Sequence, residues 1–167
     1  MNSYWIESTR DFNKENKIDN NYIAEVCIIG AGLTGLTTGY YLTKKGLKTI
    51  IVDKDYIGMK ASGHTTAKIT YAHNLIYNYL INSYGKNIAQ GYFNSNKKAI
   101  TNIKEIIDLE NIDCDFEYQP NYIYGTSQDE IKEIKDEVSA INMLARKWKW
   151  GTTYWKLWGA IWNQRCY

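Results

Sequence analysis

Hydrophobic positions change rhythm several times along the chain, and each change predicts an element. Val26-Cys27-Ile28-Ile29 is an unbroken apolar run, the pattern of a strand buried on both faces. Leu33 to Lys45 has helical spacing, with Leu36, Tyr40 and Tyr41 near one face, and Gly46 suits the helix C-terminus. Lys48-Thr49-Ile50-Ile51-Val52 is a second short β-branched run. These three segments predict a parallel β-α-β unit over about 24–53. Lys54 to Thr70 is rich in glycine and hydroxyls and reads as a loop.

Helical spacing returns at Leu75, Ile76, Tyr79 and Leu80 and stops at Gly85. A second helix is expected over Asn87 to Leu109, with Ile100, Ile103, Ile106 and Ile107 as its stripe. Cys114 to Tyr118 and Tyr122 to Tyr124 alternate about Gln119-Pro120-Asn121, which predicts a β-hairpin. Ser127-x-x-Glu130 is a capping-box pattern ahead of a helix over about Asp129 to Ala145. The expected class is α/β.

The first strand runs directly into Gly30-Ala31-Gly32-Leu33-Thr34-Gly35, a G-x-G-x-x-G. Gly30 permits the turn, Gly32 lets a pyrophosphate approach the backbone, and Gly35 lets the helix lie close to the strand. The helix N-terminus then offers N–H groups and a positive dipole end to phosphate. Asp53 follows the second strand, about 20 residues on, where a carboxylate accepts ribose hydroxyls. Strand, glycines, helix, strand and acid in one order predict a Rossmann-like dinucleotide site. The acid disfavours a 2′-phosphorylated dinucleotide. The glycines alone do not separate NAD from FAD.

The chain has 167 residues, the size of one ordinary domain, and a net charge of +2 that points to no nucleic acid or acidic partner. Cys27, Cys114 and Cys166 are far apart and form no C-x-x-C, so neither a disulfide framework nor a metal site is expected. No apolar run is long enough to span a bilayer, and Met1 to Asn21 lacks a signal-peptide pattern, so the expected compartment is the cytoplasm. The expected organisation is an N-terminal arm over 1–22, anchored by Tyr4, Trp5 and Ile6, and a cofactor-binding part over 23–112. A hairpin and helix over 113–146 and a distinct tail over 147–167 complete it.

Ser3-Tyr4-Trp5-Ile6, the Val26–Gly35 fingerprint and Ser62-Gly63-His64-Thr65-Thr66-Ala67-Lys68-Ile69-Thr70 together resemble FAD-dependent oxidoreductases of the D-amino-acid oxidase/glycine oxidase superfamily. Bacterial members with a C-terminal Rieske domain are the nearest in pattern, and Asn111-Ile112-Asp113-Cys114-Asp115-Phe116-Glu117 fits them too. The resemblance covers about residues 3–142. It implies FAD as cofactor and oxidation of a C–N bond in a small amine or amino acid, with hydride passing to the flavin. It places Gly30, Ala31, Gly32, Leu33, Thr34 and Gly35 at the pyrophosphate, Asp53 at the ribose and Lys54 beside the adenosine. Ser62, Gly63, His64, Thr65, Thr66 and Ala67 would line the pyrophosphate and approach the isoalloxazine. His64 would touch the cofactor or simply donate to backbone. His73 is read as structural, and no catalytic base is assigned.

The chain also departs from that pattern. The later segments that complete the family's flavin domain and the Rieske Cys/His ligands are not in it. Five of the six tryptophans crowd between Trp148 and Trp162, and no Asp or Glu follows Met143. A shifted reading frame near codon 143 is the expectation this raises, with unpaired strand edges, weak FAD retention and doubtful activity. Two alternatives stand beside it. One is a dinucleotide-binding module that works with a partner chain. The other takes Tyr154, Trp158 and Trp162, at i, i+4, i+8, with Lys156 and Arg165, as a basic aromatic surface for anionic lipid or nucleic acid.

Overall fold

The computed structural model describes residues 3–9 and 17–145, and the backbone of 159–165. The chain divides into two compact units, residues 1–66 and 67–167.

In the first unit a short helix α1 (Tyr4–Ser8) precedes strand β1 (Val26–Ile29), helix α2 (Leu33–Lys44) and strand β2 (Thr49–Val52), followed by a 3-10 turn at Ala61–His64. β1 and β2 pair in parallel, with Val26 opposite Thr49 and Ile29 opposite Val52. Glu25 extends the pair: its N–H donates to the Lys48 carbonyl at 2.9 Å, and its Oε2 accepts the Lys48 N–H at 2.8 Å. This is the predicted β-α-β unit. Lys45 ends α2, and Gly46 follows at φ +82°, the left-handed conformation glycine allows.

The packing face of α2 differs from the one its apolar spacing predicts. Leu36 and Tyr41 are exposed, and Gly39 is the buried position of the helix. The reason is geometric. A Cβ on Gly39 would come within 2.6 Å of Ile51 Cδ1, so the helix backbone itself lies on the isoleucines of the sheet. β1 is also not buried on both faces, since Cys27 is exposed and Ile29 is 89% exposed.

The second unit contains strand β3 (Lys68–Ile69), helices α3 (Ile76–Tyr84) and α4 (Lys86–Leu109), strand β4 (Glu117–Ile123), helix α5 (Gln128–Leu144) and strand β5 (Gly159–Arg165). The helices match the predicted spans to within a residue or two. The capping box of α5 is formed in both directions: Ser127 Oγ accepts the Glu130 N–H at 3.2 Å, and Glu130 Oε2 accepts the Ser127 N–H at 3.1 Å. α3, α4 and α5 enclose Tyr77, Ala89, Phe93, Ile100, Ala140, Ile141 and Leu144. Tyr77 and Phe93 meet edge to face with centroids 5.7 Å apart, and Tyr71 meets Phe93 the same way at 5.2 Å.

No hairpin forms around Pro120. Glu117–Ile123 is one continuous strand, and it pairs antiparallel with β5, in a sheet ordered β3-β5-β4. As an outer strand of that sheet, β4 can carry a proline, because one of its sides needs no ladder N–H. The extended backbone of 159–165 also removes the helical spacing proposed for Trp162, while Tyr154 and Trp158 lie outside the described residues.

Candidate cofactor site

The site grows from the turn between β1 and α2. Gly30 continues the strand pairing, its N–H donating to the Val52 carbonyl at 2.7 Å, and then turns at φ +111°, a conformation that strains any side chain. Gly32 caps α2, whose first intrahelical bond runs from the Leu36 N–H to the Gly32 carbonyl at 2.9 Å. The N–H groups of the first turn therefore have no intrahelical partner and point out of the helix end. A Cβ on Gly35 would sit 1.8 Å from the Gly30 carbonyl oxygen. The third glycine is thus required for the helix to start this close to the strand it leaves.

Two side chains converge on this turn. Asp53, immediately after β2, accepts the Ala31 N–H through Oδ2 at 2.7 Å and the Asp55 N–H through Oδ1 at 3.0 Å. Donation from these backbone groups, Asp55 first and Ala31 second, holds the Asp53 carboxyl below the ordinary carboxylate range. Ser62 comes from the 3-10 turn, and its Oγ accepts the Leu33 N–H at 2.9 Å. A Cβ on Gly32 would reach within 3.0 Å of that hydroxyl. The Gly58 N–H ties the intervening loop down by donating to the Ala31 carbonyl at 3.0 Å.

Gly30, Ala31, Gly32, Leu33, Asp53 and Ser62 are therefore brought together, with Thr34 and Gly35 in the first turn of α2. Gly63 is buried in the 3-10 turn, where a Cβ would lie 2.4 Å from the Gly58 carbonyl oxygen. Lys54 is exposed beyond Asp53. Thr65 and Thr66 are exposed on the segment after the turn, and Ala67 has φ +55°. His64 is exposed, and its Nδ1 donates to the Lys60 carbonyl at 2.9 Å, the plain backbone contact weighed for it above. His73 lies against the Tyr92 ring, with Nε2 3.5 Å from Asn96 Oδ1.

Sequence reasoning passed over two positions. Gly39 lies four residues after Gly35, and that i, i+4 spacing of glycines was the available sign of the sheet-facing side of α2. Gly58, at φ +71°, makes the bend that returns the loop to the glycine turn.

The arrangement fits a dinucleotide. It presents a helix N-terminus whose cap, Gly32, has no Cβ where phosphate would approach, bordered by a hydroxyl and a carboxylate. Comparison with known proteins agrees. The family model described as "DAO: FAD dependent oxidoreductase" matches residues 25–160. A protein of Bacillus subtilis (strain 168), named as the Rieske 2Fe-2S iron-sulfur protein YhfW, is 35% identical over 142 residues, covering 85% of this chain and 28% of that protein. The gamma-glutamylputrescine oxidoreductase of Escherichia coli (strain K12) is 24% identical over 127 residues, covering 76% of this chain and 29% of that protein. A Haemophilus influenzae protein named as oxidoreductase OrdL is 26% identical over 139 residues, covering 82% and 32%. The chain thus spans less than a third of the length of each of these relatives. No solved structure matches it. Among the described residues, no helix is long and apolar enough to cross a membrane.

Proposed function

The chain belongs to the FAD-dependent oxidoreductase family, whose cofactor is FAD, and on that premise we propose that it provides the cofactor-binding part of a cytoplasmic enzyme oxidising a C–N bond in a small amine or amino acid. The supporting observation is the cradle at the start of α2, where Gly32 makes room for the Ser62 hydroxyl at the helix end and Gly35 brings the helix against β1. Bound there, FAD supplies the hydride acceptor. The chain's own residues bind and orient. The α2 N-terminus and the Ser62 hydroxyl would hold the pyrophosphate, and the Asp53 carboxyl, held below its ordinary range by backbone donors, would accept from the ribose. Lys54, exposed next to Asp53, would stand beside the adenosine. The amine substrate class is supported by the name of the gamma-glutamylputrescine relative.

The test is titration of the purified chain with FAD, followed by quenching of flavin fluorescence and by absorbance near about 450 nm. Saturable binding that Gly32→Val removes is the expected result. No saturable binding, or equal binding by the variant, overturns the reading.

A further inference from the structure

The opening Ser3-Tyr4-Trp5-Ile6 is joined to the loop that supplies Ser62. Ser3 Oγ donates to the Gly63 carbonyl. Trp5 Nε1 donates to the Thr65 carbonyl at 2.7 Å. Ile6 packs on Gly63 so closely that a Cβ there would lie 3.1 Å from Ile6 Cγ1. The three contacts fall on residues 63 and 65, immediately beyond Ser62, whose hydroxyl meets the Leu33 N–H at the head of α2.

We propose that Ser3, Trp5 and Ile6 are positioning residues for the cofactor: the N-terminal arm fixes the 62–65 segment so that Ser62 stays at the helix end before FAD arrives. The inference rests on the reading of that segment as part of the FAD cradle. Its physical basis is preorganisation. A glycine- and hydroxyl-rich segment that is ordered in advance loses less freedom on binding. The contacts suit that task because two of them are made to backbone carbonyls, so they hold the course of the chain and leave the side chains of Ser62 and His64 to act on their own partners.

The experiment compares the full chain with Ser3→Ala, Trp5→Phe and the conservative Ser3→Thr. FAD affinity is read by fluorescence titration, and hydrogen exchange is read at the Gly63 amide, which donates to the Lys60 carbonyl at 3.1 Å. Loss of one such bond is expected to weaken FAD binding roughly three- to tenfold in Ser3→Ala and in Trp5→Phe. Ser3→Thr restores the hydroxyl and is expected within about twofold of the parent. Gly63 exchange should quicken in the two weakened variants while the Gly30 amide and the amides of the C-terminal half of α2, in the same unit, are unchanged, a local signature that general destabilisation of that unit does not produce. Unchanged FAD affinity in Trp5→Phe and Ser3→Ala overturns the proposal. If the parent chain takes up no FAD, the functional reading falls, and exchange alone decides the arm: equal Gly63 protection in all variants overturns it, and selective loss sustains the arm's hold on the loop.

Discussion

The unit that carries the recognisable motif and the unit that carries the packed core are different parts of this chain. Among the described residues up to 66, only Ala31, Gly39 and Gly63 are buried, and Ile29 and Leu33 stand largely exposed. Beyond residue 66, Tyr71, Tyr77, Phe93, Ile100, Ile141 and Leu144 form a cluster that closes around the start of α3. The first unit is defined by where side chains are missing: Gly35 lets backbone meet backbone, while Gly32 makes room for the Ser62 hydroxyl and Gly39 for the Ile51 side chain. The second is defined by side-chain mass. A binding fingerprint and a stable core thus impose opposite demands on residue size, and this chain separates them.

The largest expected effect is in the core. Ile141 is 1% exposed, so Ile141→Ala removes fully buried methylenes and leaves a cavity, at a cost of about 2–5 kcal/mol. Hydrogen exchange should accelerate throughout α3 and α5. If the amides of α2 accelerate equally, the two units unfold as one and the contrast between them fails.

Gly35→Ala probes the other unit. Its new Cβ would lie 1.8 Å from the Gly30 carbonyl oxygen, and neither partner is a flexible side chain. Relief requires α2 to withdraw from β1, at about 1–3 kcal/mol or more. Protection of the Leu36 amide and FAD binding should fall together, with α3 and α5 unaffected. Retained FAD affinity would show that the cradle does not depend on this close approach.

The two units were unequally legible. The β-α-β unit could be read because its glycines, its apolar runs and Asp53 lie in fixed order within one short stretch, and local geometry leaves few ways to satisfy them. The capping box of α5 was legible for the same reason, since Ser127 and Glu130 satisfy each other across one turn. The face of α2 was not, because apolar spacing favours Leu36 and Tyr41 whereas contact is made by the absence of side chains at Gly35 and Gly39. The strand through Pro120 was misread as a hairpin because Gln119-Pro120-Asn121 is turn chemistry locally. Its pairing with residues 159–165 is a long-range choice that no local signal encodes. Glu137 was overlooked as well, although it stands three residues after Ile134 and four before Ile141, on the face that α5 buries; a carboxylate among apolar positions was the available sign.

Glu137 gives the smallest and most specific expectation. It is 2% exposed on α5, and its two oxygens accept the Tyr77 N–H at 2.9 Å and the Asn78 N–H at 2.7 Å. It therefore caps the first turn of α3 from another helix. Burial pushes its carboxyl above the ordinary glutamate range, against the pull of the Asn78, Tyr77 and Ile76 N–H groups. A folded value above the unfolded one means that the folded state holds the proton longer. The stability of this unit should then decline as pH rises from the ordinary glutamate range through the raised value, and level off above it. Glu130, on the same helix, has the opposite sign. Donation from the Thr126 and Ser127 backbone lowers its carboxyl, so its contribution is present above the ordinary range and fades as pH falls through the lowered value. Glu137→Gln turns an amide N–H₂ toward a backbone N–H and should cost about 1–3 kcal/mol. It should also remove the decline on the alkaline side while leaving the acid limb set by Glu130. Exchange at the Tyr77 and Asn78 amides across pH separates the two limbs, and an alkaline decline that survives in Glu137→Gln would assign it to some other group.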